Sequence, residues 1–290
     1  MRQLKSQIRI ALLALAAALA TGFGSWFLAT SGQPPAPVEE APLTSKPVTT
    51  QPVAPEPAAP APAPDNGAGS GPAEATLNEK LQGTGEYQGF FARLRGLYPA
   101  DYDAAVKAAV EHGVEKQPNA PDLFLTEAVR LLRQTRGLNG AKAGGQALDH
   151  LFDLHLRVLR QLATSDAGLC VDFLNGAPAD RFAAFTGANR ALMAEEAMAG
   201  LEAIDDGARK KIDREAPSQA DFDDLEKMLL AKGLDKAAIG LLLDGKTPEP
   251  PLTDAQACHN GVLYLETLQS LPDLQRLRLY ALALEVMAHE

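Results

Sequence analysis

The sequence predicts an all-α protein: a single N-terminal transmembrane helix, a disordered Pro-rich stalk, then a bundle or array of about eight to ten helices. Three observations carry this. Residues 10–29 hold no charge, and residues 31–72 contain twelve of the twenty-one prolines and no aromatic side chain. Beyond them, apolar residues recur at helical spacing and no Val/Ile/Thr alternation suggests strands. The expected divisions are a cytoplasmic N-terminus at 1–9, a transmembrane helix at 10–30, a linker at 31–78 and an all-α exported domain at 79–290.

The run "IALLALAAALATGFGSWFLA" is long enough to cross a bilayer as a helix. Arg2, Lys5 and Arg9 precede it and the next basic residue is Lys46, so the positive-inside bias keeps residue 1 in the cytoplasm and sends the remainder out. The expected location is the inner (plasma) membrane, single-pass, with the C-terminal domain periplasmic if the source is Gram-negative. Ala18-Leu19-Ala20 also matches a signal-peptidase pattern. The apolar run continues past it through Phe23, Phe27 and Leu28, with Trp26 placed as an interfacial anchor, which favours an uncleaved anchor. Ala14, Ala18 and Gly22 form a small-residue stripe that would allow a weak homodimer, although alanine is so common here that chance explains it as well.

The stalk cannot bury a core. Proline fixes its own backbone angle and pushes the preceding residue toward extended conformations, so polyproline II is its favoured local state. At about 3.1 Å per residue it would reach roughly 120 Å, which makes it a spacer between membrane and domain.

In the domain, helices are expected at Glu86–Leu97, Ala100–Glu115, Pro121–Gln134, Gln146–Thr164, Asp166–Leu174, Ala179–Ile204, Gln219–Ala231, Lys236–Leu243, Asp254–Gln269 and Leu274–Ala288. The clearest is the fourth, where Leu148, Leu151, Phe152, His155, Val158, Leu159 and Leu162 share a stripe. Asn119, Ser165, Ser218, Asp235 and Thr253 are the expected N-caps, and Gln256 completes a capping box with Thr253. No fixed period aligns the helices as repeats.

The two cysteines occur in the same pattern, Ser/Thr-Asp-Ala-x-x-Cys, and both should face a core: Cys170 with Leu169, Phe173 and Leu174, Cys258 with Val262, Leu265 and Leu268. Burial among apolar groups keeps a thiol inert, and helix neighbours diverge by about 100°, so Cys258 and His259 are not a nucleophile and base. In an exported domain two such cysteines can pair, which makes Cys170–Cys258 a candidate disulfide; two free buried thiols are the rival state.

No other constellation points to chemistry. The first 72 residues carry four basic and four acidic side chains, so the whole formal charge of −10 falls on the domain and a nucleic-acid partner is not expected. The five histidines provide no close pair for zinc, "GLNGAKAGG" lacks the register of a phosphate-binding loop, and "ADFDDLE" lacks that of a calcium loop. No catalytic, cofactor or metal residue is expected. Arg130, Arg133, Arg136 and Lys142 form one basic cluster, usually a solvated face and otherwise a patch for an anionic partner. The expected function is a protein-binding or scaffolding module in the cell envelope, partner unknown. The alternative is an envelope hydrolase assembled from distant residues such as Asp149, His150 and Asp153.

Overall fold

The computed structural model describes residues 71–176 and 181–289, which are all-helical. The predicted span at 10–30, the stripe Ala14, Ala18, Gly22 and most of the stalk lie outside the described residues. Among the described residues no helix is long and apolar enough to cross a membrane.

Among the described residues there are twelve α-helices, more than the eight to ten expected of the domain: α1 Pro72–Gln82, α2 Gly85–Leu97, α3 Pro99–Glu111, α4 Ala120–Gly140, α5 Gly145–Ser165, α6 Ala167–Leu174, α7 Phe182–Ala188, α8 Arg190–Lys210, α9 Gln219–Ala231, α10 Lys236–Asp244, α11 Asp254–Gln269 and α12 Asp273–Met287. Helix α1 begins inside the stretch expected to be linker. Pro72 suits a first helical position, where its missing N–H is not needed, and Leu77 and Leu81 are buried. The expected helix 100–115 stops at Glu111, because Gly113 turns the chain at φ 68° into a short 3-10 turn, Val114–Lys116. The single helix expected over 179–204 is two, divided at Asn189.

Cap chemistry explains several boundaries. Ser218 with Asp221, and Thr253 with Gln256, close full capping boxes, and Asp235 accepts from the Ala238 amide at 2.7 Å. Ser165 does not cap α6. It ends α5, its hydroxyl donates back to the Gln161 carbonyl at 3.0 Å, and Asp166 accepts the Leu169 amide instead. Asn119 precedes α4 without a side-chain cap bond.

Helices α4, α5 and α8 form the centre. Helices α1 to α3 pack against α4 and α8, α6 and α11 cover α5, α9 and α10 lean on α11, and α12 closes over α4 and α5. Because α5 has neighbours on several sides, Leu154 and Leu156 are buried along with Leu148, Phe152, Val158, Leu159 and Leu162 of the predicted stripe, whose Leu151 and His155 are half-buried. Tyr280 of α12 lies flat on Phe152 of α5, ring centres 3.7 Å apart.

Helix α4 runs to Gly140, past the Gln134 expected from its glycines and asparagine. Gly207 of α8 permits close approach at that end, since a Cβ there would collide with the carbonyl oxygen of Asn139. At the opposite end of the same pair, Arg190 donates to both oxygens of Asp122, Nε at 2.9 Å and Nη2 at 3.0 Å, and the Tyr87 hydroxyl donates to Oδ1 at 2.7 Å. Start meets start and end meets end, so α4 and α8 run parallel. Asp122 is 1% exposed, so its charge depends on these partners. Burial, then the hydrogen bond to Asp122, hold the Tyr87 hydroxyl in its neutral form far above the ordinary tyrosine range.

Cys170 of α6 and Cys258 of α11 are joined by a disulfide, Cα–Cα 5.7 Å, and both are buried. Its two helices touch closely nearby, since a Cβ on Gly261 would strike the Leu174 side chain.

Two stability outcomes follow. The bond links residues 88 apart in sequence, so the double variant Cys170→Ala/Cys258→Ala should lose about 4 to 5 kcal/mol by the chain-entropy argument, read from urea unfolding of unreduced protein. Arg190→Met should cost about 3 kcal/mol in the same assay by stranding the Asp122 carboxylate, whereas Tyr87→Phe should cost about 1 kcal/mol.

Candidate functional site

Two depressions carry residues of functional interest. The first is an open hollow of about 470 Å³ beside α5 and α12, lined by Asp149, His150, Asp153, Asp273 and Arg276 among others. It brings together the three residues of the hydrolase alternative. The two aspartates among them, however, are engaged: Asp149 accepts from Arg276 through both oxygens, at 2.8 and 3.1 Å, and Asp153 accepts from Gln269 at 2.7 Å. Arg276 also pairs with Asp273 at 3.0 Å and donates to the Leu271 carbonyl. These bonds tie α5 to α11 and α12, and the Asp149 bond shifts the guanidinium further toward its charged form.

The second is an apolar cleft of about 260 Å³ between α4 and α8, with walls from α5, α6, α7 and α12. Leu132 and Val129 of α4, Leu151 of α5, Phe173 of α6, Met193 and Ile204 of α8 and Met287 of α12 supply hydrocarbon. The polar groups within it are few: Thr126, Arg130 and Arg133 on α4, and His155 opposite Glu196. His155 Nδ1 lies 2.9 Å from Glu196 Oε1, and its ring stacks on Phe173 with centres 4.7 Å apart. His155 therefore leaves the pure packing role that its stripe implied and forms part of the cleft wall.

The basic cluster of the sequence is not one patch. Arg130 and Arg133 line the cleft. Arg130 holds Glu127 through Nε and Nη2, at 3.0 and 2.5 Å, and directs Nη1 to the Gln134 amide oxygen at 2.8 Å. Arg136 turns to α3, donating to Asp101 at 3.0 Å with its guanidinium over the Tyr98 ring. Lys142 is exposed in the turn after α4.

No protein-family model, curated protein or solved structure matches this chain. The site is therefore read from its own geometry. Among the described residues no three His, Cys, Asp or Glu side chains group to hold a metal ion. His259 is exposed while Cys258 is buried, so the two adjacent residues lie in different surroundings.

The glycine-rich turn between α4 and α5 is occupied by side chains of this chain. Asp206 of α8 accepts the Gly144 amide at 2.8 Å and so caps α5 from a distant helix. Arg214 donates to the carbonyls of Ala141, at 2.9 Å, and Ala143. The Gly144 amide, followed by Lys210 and Arg209, holds the Asp206 carboxyl below the ordinary range. Its site, like Asp122, escapes a sequence reading because donor and acceptor lie far apart in the chain.

A carboxylate whose pKa is lower folded than unfolded adds stability above its unfolded value, about 3.9 for aspartate, and that stability is lost as pH falls through the folded value. Asp206→Asn should therefore lower stability at neutral pH. The gap between variant and wild type should narrow below about pH 4, as measured by thermal melts across a pH series.

Proposed function

We propose that the chain is a membrane-anchored, single-span envelope protein whose all-α domain serves as a protein-binding or scaffolding module, held out from the inner membrane on its Pro-rich spacer. The charge-free run at 10–29, the positive residues before it and the proline-rich stretch support anchor, orientation and spacer.

The observation that carries binding rather than hydrolysis is the contrast between the two depressions. The apolar cleft is a preformed concavity with hydrocarbon walls and a few polar groups, the usual character of a binding site. The hollow that gathers Asp149, His150 and Asp153 is open, and Arg276 and Gln269 engage its two central carboxylates as ties between helices.

Photo-crosslinking in intact cells tests this. A photoreactive residue in place of Met287, which lines the cleft, should capture an envelope protein, whereas one at Leu230, exposed on α9, should not. Adducts at neither position, or equal adducts at both, would return the cleft to a packing feature.

A further inference from the structure

We infer that the cleft between α4 and α8 binds a single-chain amphiphile, a medium-length hydrocarbon tail with an anionic head of the fatty-acid class. The inference rests on reading the domain as a binding module and names a ligand chemistry for its cleft.

Size and lining come first. The space would hold about nine waters at roughly 30 Å³ each, and walls of Leu, Val, Ile, Met and Phe give most of those waters no hydrogen-bond partner. Replacing them with hydrocarbon is favoured by about 0.8 kcal/mol per methylene, and the volume suits roughly eight to ten carbons.

The wall of α8 is also indented for an occupant. A Cβ on Gly200 would meet nothing within 4 Å, in contrast to Gly207 on the same helix, where the space is filled by Asn139. The glycine at 200 is thus not required by packing within the fold. It leaves room that the protein itself does not use.

Charge selects the head. The carboxylate in the cleft lining, Glu196, is engaged by His155, and Arg130, partnered by Glu127, brings a guanidinium to the cleft wall. Arg130 and Arg133 stand three apart on α4, on one face beside the hydrocarbon walls. Arg130 keeps its Glu127 partner, while one N–H of Nη1 donates to the neutral amide oxygen of Gln134. A carboxylate head replacing that amide makes a charge-assisted bond in place of a neutral one.

The test uses the full chain in phospholipid nanodiscs, titrated with decanoate and with decanol, with empty nanodiscs as the partition control. Wild type should bind one decanoate per chain saturably, and decanol about tenfold more weakly, the value of one charge-assisted hydrogen bond. Arg130→Gln should weaken decanoate by about tenfold and leave decanol unchanged. Gly200→Leu should abolish binding of both while its melting temperature stays at or above wild type, since leucine fills an apolar gap and is the better helix former. No saturable decanoate binding, undiminished binding by a folded Gly200→Leu, or equal affinity for decanol would each overturn the inference. A protein adduct from position 287 without decanoate binding leaves the binding module standing and removes the amphiphile. Decanoate binding without any protein adduct does the reverse.

Discussion

Helix α8 is pinned to α4 at both ends, and the rest of the domain is arranged around that constraint. At its first turn Arg190 grips the buried carboxylate of Asp122. At its last turn Gly207 lets the backbone meet the end of α4, and Asp206 caps the start of α5. Both pins are polar or backbone contacts with fixed geometry, so the two helices cannot slide into a closer register along their middles. Between the pins α8 presents Ala197 and Gly200, residues too small to fill the interval. A cleft is the mechanical result, because a packed structure relaxes only partly into a void when its ends are held.

The remaining braces keep that interval bounded. The disulfide ties α6 to α11, and α11 lies on α5, so Phe173 and Leu174 are carried as a wall of the cleft by an eight-residue helix with little core of its own. Helix α12 closes the other side, with Tyr280 stacked on Phe152 and Met287 reaching the cleft. The pins hold α4 and α8 in register, the disulfide holds a wall, and the ion pairs around Arg276 hold the helices that support both.

Burial of Asp122 illustrates why such pins constrain so much. An isolated carboxylate in this position would carry a desolvation cost of several kcal/mol, so its place depends chiefly on the Arg190 guanidinium, with a smaller contribution from the Tyr87 hydroxyl. Any rearrangement of α2, α4 or α8 that separates them exposes that cost at once. Asp122 thus links three helices by a penalty for leaving as much as by an attraction for staying.

What the sequence determined by itself is whatever depends on residues within a turn or two of each other. The all-helical character, the N-cap at Ser218, the capping box at Thr253, the cap at Asp235, and cysteines turned to the core were all legible, because periodicity and cap chemistry act over three to five positions. Where glycine or asparagine appeared, local rules read a helix end, and α4 and α8 run on to Gly140 and Lys210 because those residues serve crossings instead. Ser165 misled for a related reason, since the helix before it kept the serine and left the cap to Asp166. The tertiary structure alone decided the pins, the cleft and the division of the arginine cluster. Asp122 and Arg190 are 68 residues apart and Gly144 and Asp206 are 62 apart. No periodicity within a helix encodes which distant helix will supply a partner, and only the packed arrangement turns Arg130 and Arg133 toward one cleft while Arg136 faces Asp101.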